Sequence, residues 1–195
     1  IIVNLEILYT VTYSYFLGSI PFGLILAKIF LNKDLRNVGS GNIGATNALR
    51  TGKKSLGVFT LLLDGLKGYT SISITFMYFP DYIYLSGLLC ILGHIFPVWL
   101  RFTGGKGIAV FLGALLGLSI KLGILFIICW SLVLYLTKYS SVSSLVSTGV
   151  IFTYSIYLKN SLETIFFFII LIIVIYTHRV NIVRLKNKTE GKINL

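Results

Sequence analysis

The sequence predicts an all-α, polytopic membrane protein with seven transmembrane helices, and three observations carry that prediction. Of 195 residues, 56% are hydrophobic and only 12% are charged, about half the charged share of an ordinary soluble domain; the mean hydropathy is +0.90. The apolar residues form runs such as "SLETIFFFIILIIVIYT" (161–177), close to the roughly 20 residues that cross a bilayer. Basic residues gather in alternate connections between the runs, as the positive-inside rule requires of cytoplasmic loops. One bundle of such helices accounts for residues 1–195 as a single domain.

The runs follow in order. Leu5 to Phe30 is the first span; Pro21 within it removes a backbone donor and kinks the helix. This span is expected to serve as its own uncleaved signal, because no charged start, short apolar core and small-residue cleavage site precede it. The sequence begins at Ile1 without Met, so a few residues are expected to be missing. Leu56 to Phe79 is the second span and Tyr82 to Leu100 the third. The fourth, Ile108 to Leu118, is short enough to be a re-entrant segment. Leu122 to Thr137, Ser143 to Leu158 and Leu162 to Thr177 complete the set.

Charge placement arbitrates the fourth. With seven crossings, Lys33, Arg36, Arg50, Lys53 and Lys54 share a side with Arg101, Lys106, Lys138, Arg179, Arg184, Lys186, Lys188 and Lys192. The other side keeps Lys121, Lys159 and the acidic Asp81. That asymmetry puts the N-terminus outside and the C-terminus in the cytoplasm. Merging residues 108–137 into one helix of about 45 Å would overshoot the bilayer and export the basic tail.

The formal charge of +11 is therefore read as topology, not as nucleic-acid binding. Cys90 and Cys129 sit in apolar runs without a CxxC or a nearby His and read as small packing residues, not metal ligands or a disulfide. No internal repeat of the kind found in many secondary transporters is evident. The polar motifs all fall on the cytoplasmic side, and polar groups at membrane depth must be buried in protein or line a wet cavity. Their convergence on one site is the expectation.

Residues 38–50, "VGSGNIGATNALR", form the first motif. Gly39, Gly41 and Gly44 permit positive φ, and successive amides of such a turn make an anion-binding nest. Ser40, Asn42, Thr46 and Asn47 add hydroxyl and amide groups, and Arg50 adds a planar fork suited to phosphate. A merely solvated loop would tolerate the Lys, Glu and Pro that this core lacks, although the spacing matches neither a Walker A loop nor G-x-G-x-x-G.

"DGLKG" (64–68) puts Asp64 and Lys67 on one face of the second span. Intramembrane charges mark function by default, with an ion pair that ties helices together as the equal alternative. In "GHIFPVWLRFTGGKG" (93–107), His94 is either a proton carrier or a hydrogen-bonded structural residue. Gly104, Gly105 and Gly107 around Lys106 offer amides, a positive helix terminus and an ammonium to one anion. In "KYSSVSS" (138–144), Ser140, Ser141, Ser143 and Ser144 either cap a helix or donate to phosphate oxygens. In "HRVNIVRL" (178–185), His178 and Asn181 lie together on a helix with Arg184 beyond them. A basic tail attracted to anionic lipid is the competing reading there.

These ordered motifs, together with "GSIPFGLILAKI" in the first span, resemble the bacterial acyl-phosphate:glycerol-3-phosphate acyltransferase (PlsY) family, from about Gly18 to Leu185. The resemblance implies a seven-helix enzyme of the bacterial inner membrane with its active site on the cytoplasmic face. It implies transfer of a fatty acyl group from acyl phosphate, not acyl-CoA, to the sn-1 hydroxyl of glycerol 3-phosphate, giving lysophosphatidic acid and phosphate. It assigns Ser40, Arg50, Lys106, Ser144, His178 and Asn181 to substrate binding or catalysis, and Glu190 to an acidic position in the family's tail.

Two anionic substrates would account for two glycine-rich basic loops. Acyl phosphate is already activated, so no metal, cofactor or covalent nucleophile is expected, and the HxxxxD signature of acyl-CoA acyltransferases is absent. The expected mechanism is direct attack of the acceptor hydroxyl on the acyl carbonyl. Lys106, Ser40, Gly41, Asn42, Thr46, Asn47, Arg50, Gly104, Gly105 and Ser144 would hold phosphates, and Lys106, His178 and Asn181 would act catalytically. Asp64, Lys67 and His94 would support them. The proton goes to His178 or to a substrate phosphate oxygen. The rivals are a transporter for a phosphorylated solute, disfavoured by nearly all-apolar outer halves of the spans, and a non-catalytic lipid-binding subunit.

Overall fold

The computed structural model describes residues 5–193; Ile1, on which the expectation of missing N-terminal residues rests, lies outside them. The described residues form ten α-helices and three short 3₁₀ turns, with no strand. By internal contacts the chain falls into two compact units, one ending at Leu118 and the other beginning at Ser119.

The first unit contains α1 (Leu5–Ser19), α2 (Phe22–Leu31), α3 (Ala45–Leu49), α4 (Lys54–Tyr78), α5 (Ile83–Ile95) and α6 (Ile108–Leu118). The first predicted span is broken where Pro21 demanded it, at Ile20–Pro21 between α1 and α2. Close packing of α4 on α6 depends on missing side chains: a Cβ on Gly68 would stand 2.1 Å from the Val110 carbonyl oxygen, and one on Gly113 only 1.8 Å from that of Gly65. Helices in lipid associate through such small residues because burial away from water supplies no drive between them.

The helices α1, α4 and α5 are further joined by buried hydroxyl groups. Ser86 Oγ lies 2.9 Å from Ser14 Oγ and 2.8 Å from Ser71 Oγ, while Tyr13 Oη donates to the Ser71 carbonyl (3.1 Å) and contacts the Thr75 hydroxyl. In an apolar surround each such group needs a partner, and here each supplies another's.

The second unit contains α7 (Ile120–Thr137), α8 (Ser140–Leu158), α9 (Ser161–Thr177) and α10 (Arg179–Lys186). Asn160 caps α9, its side chain accepting the Glu163 amide at 3.3 Å. Thr164 Oγ1 donates to the Ser155 carbonyl (3.1 Å) and ties α9 to α8. A 57° bend separates α9 from α10 at His178.

Among the described residues, four segments are long and apolar enough to cross a membrane: Leu5–Leu31, Pro80–Leu100, Ile120–Thr137 and Ser140–Leu158. The bent pair α9–α10 makes a fifth if counted as one span. The second and fourth predicted spans are helical but do not meet that measure. Helix α4 has 25 residues but carries Asp64, Lys67 and several hydroxyl side chains, and α6 has only 11.

Candidate active site

The polar loop of the first unit is organised by one side chain. Asn47, on α3 and 1% exposed, accepts the Ser40 amide through Oδ1 (2.9 Å). Its Nδ2 donates to the carbonyls of Leu35 (3.0 Å), Val38 (2.9 Å) and Asn42 (2.7 Å). The chain can wrap around it because Gly39 and Gly41 take φ of 54° and 75°, the left-handed region that glycine enters without strain. A Cβ on Gly39 would also lie 2.5 Å from Asn47 Oδ1 and 2.9 Å from Arg50 Cδ.

Asn47 braces the loop from inside, with Oδ1 and Nδ2 both engaged, and one expectation is corrected here. The consecutive amides of Ser40 and Gly41 do not form an outward nest, because Gly41 N–H donates to the Val38 carbonyl (2.9 Å) and Ser40 N–H to Asn47. The loop presents Ser40, Gly41, Asn42 and Thr46, partly exposed, and the exposed Arg50.

The second glycine-rich segment is braced in the same way. Gly104 N–H donates to the Ile95 carbonyl (2.9 Å) and Gly105 N–H to that of His94 (3.0 Å), closing the C-terminus of α5, whose last carbonyls otherwise lack donors. These two amides are therefore turned away from any anion, contrary to expectation. The partly exposed Lys106 follows, two residues before α6 starts at Ile108.

Behind this segment lies a buried polar cluster. Lys67 Nζ is 2.9 Å from Asp64 Oδ1, donates to His94 Nδ1 (2.9 Å) and donates to the Ile20 carbonyl (2.9 Å) at the Pro21 break. Asp64, Lys67 and His94 are 1%, 2% and 4% exposed. One ammonium thus joins the break after α1, the middle of α4 and the end of α5. Of the two readings of His94, the hydrogen-bonded structural residue is the one this geometry matches.

In the second unit His178 is 2% exposed and stands at the bend. Its Nδ1 donates to the Val174 carbonyl (2.9 Å). A carbonyl only accepts, so the proton sits on Nδ1 and Nε2 is the basic nitrogen. Asn181 Nδ2 donates to Glu190 Oε1 (2.6 Å), as does Ser141 Oγ (2.8 Å). Glu190 therefore fastens the tail to α10 and to the start of α8. Ser144, expected to bind substrate, is 2% exposed; its hydroxyl donates to the Ser140 carbonyl (2.9 Å) and accepts Trp130 Nε1 (3.2 Å). Through these two bonds it links α7 and α8.

The glycerol-3-phosphate acyltransferase family model matches residues 8–188. The chain belongs to this family. It is 51% identical over 191 residues to a glycerol-3-phosphate acyltransferase of Pelagibacter ubique (strain HTCC1062), covering 98% of this chain and 100% of that one. It is 44% identical over 182 residues to one of Mesorhizobium japonicum (strain LMG 29417 / CECT 9101 / MAFF 303099), covering 93% of each. Among solved structures it matches PlsY, an integral membrane glycerol 3-phosphate acyltransferase, in its glycerol 3-phosphate form, with a TM-score of 0.91 and 35% identity over 96% of both chains. The lysophosphatidic acid form of PlsY matches with a TM-score of 0.89 at 32% identity, over 96% of this chain and 95% of that one. The all-helical fold of this family is thus that of an integral membrane protein.

Sequence reasoning missed the roles of Trp130 and of the hydroxyls on α1, α4 and α5. Single Ser and Thr residues in apolar runs carry little spacing signal, although Ser71 and Thr75, four apart on one helix face, were a readable hint.

Proposed function

We propose that the chain transfers a fatty acyl group from acyl phosphate to the sn-1 hydroxyl of glycerol 3-phosphate, releasing lysophosphatidic acid and inorganic phosphate. The observation that carries this reading is the likeness, over 96% of both chains, to a crystal structure in a glycerol 3-phosphate form. The acceptor oxygen attacks the acyl carbon, the bond from that carbon to the phosphate oxygen breaks, and the electron pair leaves on phosphate. The acceptor proton goes to a base and then to the departing phosphate.

In the first unit, Lys106, the N-terminal end of α6, Arg50 and the polar side chains of Ser40, Asn42 and Thr46 supply donors for phosphate oxygens. The inward bonds of Asn47, Gly104 and Gly105 support this role by fixing these groups before substrate arrives, so that little ordering is needed at the transition state. In the second unit, His178 is the candidate base through Nε2, with Asn181 and Glu190 holding the turn that carries it. We assign seven crossings, with the short α6 packed against α4, the N-terminus outside and these loops at the cytoplasmic face of a bacterial inner membrane. The distribution of Lys and Arg supports that orientation.

The donor is tested with purified protein in detergent, glycerol 3-phosphate and, in parallel, acyl phosphate or acyl-CoA. Turnover with acyl phosphate alone is expected. Turnover with acyl-CoA alone would overturn the donor assignment, and solute flux in liposomes without turnover would favour a transporter.

A further inference from the structure

The contacts of Gly105 extend the role of the buried cluster. A Cβ built on Gly105 would lie 2.1 Å from His94 Nε2, 2.9 Å from Cε1 and 3.0 Å from Cδ2. The imidazole therefore forms the surface on which the Gly105 backbone rests. The main chain of His94 holds the same residue from a second direction, through its carbonyl and the Gly105 amide (3.0 Å). The ring is fixed in turn by the Lys67 ammonium at Nδ1 (2.9 Å), and Lys67 is fixed by Asp64 and the Ile20 carbonyl (2.9 Å each). The result is a continuous chain of buried contacts: Asp64, Lys67, His94, Gly105, and then Lys106.

A buried ion pair used only to hold helices together gives weak net stability, because desolvation offsets most of the attraction. Placing one against Nδ1 of a ring whose Nε2 edge abuts a glycine does something more specific. It fixes the height of the Gly105–Lys106 peptide over the end of α5 and so fixes the origin of the Lys106 side chain. We propose that His94, clamped by the Lys67–Asp64 ion pair, is a positioning residue for the Gly105–Lys106 segment and sets that segment's affinity for phosphate. This rests on the proposed phosphate-binding role of Lys106, and the chemistry recognised is a phosphate dianion, free or carried by a substrate.

The test combines His94→Ala, Gly105→Ala and the double variant, each checked for wild-type thermal unfolding in detergent. Binding of inorganic phosphate is followed by isothermal titration, and KM and kcat are measured beside it. Each single variant is expected to weaken phosphate binding at least tenfold and to raise KM for one substrate similarly. The double variant should bind no worse than His94→Ala alone, since removing the ring removes the obstacle to the Gly105 methyl. Losses that multiply in the double variant would overturn the proposal, and so would a fall in kcat with KM and phosphate affinity unchanged.

Should His94→Ala not fold, Asp64→Asn with Lys67→Met removes the clamp without leaving a lone buried charge. The same tenfold weakening is expected there, and unchanged phosphate binding would refute the clamp. Wild-type protein that binds phosphate but transfers no acyl group would sink the acyltransferase reading while leaving the coupling between residues 94 and 105 measurable.

Discussion

Replacing Asn47 by Asp changes one NH₂ group to an oxygen and keeps the size and shape of the side chain. Oδ1 still accepts the Ser40 amide, but the new oxygen faces the three carbonyls of Leu35, Val38 and Asn42, which Nδ2 had bridged at 3.0, 2.9 and 2.7 Å. The two N–H donors are shared among the three carbonyls, so the bonds lost, at about 1 kcal/mol each, give about 2–3 kcal/mol. Repulsion between the new oxygen and the carbonyls, at a site 1% exposed, raises the total to about 3–6 kcal/mol. Leu35 and Ala48 still anchor the loop in a buried cluster with Ala27 of α2 and Leu56 of α4, so the expected effect is opening of the loop around that anchor, not global unfolding. At 1.4 kcal/mol per tenfold, opening rises at least about a hundredfold. Trypsin cutting after Arg36 or Arg50 reads that opening directly, with turnover measured beside it. Asn47→Asp should be cut far faster than wild type and should lose most activity. Were Asn47 a substrate contact on an independent loop, cleavage would stay at the wild-type rate while KM rose, and that result would refute the scaffold reasoning.

Other substitutions test neighbouring parts of the account. Glu190→Ala loses two charge-assisted hydrogen bonds, from Asn181 and Ser141, together about 3–5 kcal/mol; a drop of several degrees in melting temperature is expected, largely restored by Glu190→Gln. Lys106→Ala should lose activity that Lys106→Arg only partly restores, because a guanidinium fills the site differently, and full activity in Lys106→Ala would remove it from the phosphate site. His178→Ala should abolish turnover with modest loss of substrate binding, and near-normal turnover would exclude it as the base. The Asp34 carboxyl is held below its ordinary value by hydrogen bonds from the Arg36 side chain and then its backbone amide. Its contribution is therefore present above the ordinary carboxylate pKa of about 4 and is lost as pH falls through the lower folded value. The pair is exposed and contributes less than about 1 kcal/mol, so Asp34→Asn should change loop proteolysis less than about fivefold at neutral pH and flatten its rise under acid.

The apolar runs and the break at Pro21 were legible because hydrophobicity and proline act locally. Helix α3 was not, since five residues nucleate no helix alone and this one is held by Asn47 from within the loop. Asn47, Ser144 and the amides of Ser40, Gly104 and Gly105 had the right chemistry for phosphate, but sequence gives residue type without direction. Each turns inward to satisfy a backbone, indole or side-chain amide group. Asp64, Lys67 and His94 were read as a supporting group because intramembrane charges stand out, yet their link to Gly105 needed the fold to bring the end of α5 against the segment before α6. Family resemblance carried the assignment where spacing alone matched no known phosphate loop.

The most direct test of the central claim is the stoichiometry of a single preparation: purified protein in detergent with acyl phosphate and glycerol 3-phosphate, without CoA, products quantified by mass spectrometry and phosphate release. The account predicts one 1-acyl lysophosphatidic acid for each inorganic phosphate. Phosphate released with free fatty acid and no lysophosphatidic acid, or no release at all, would contradict it.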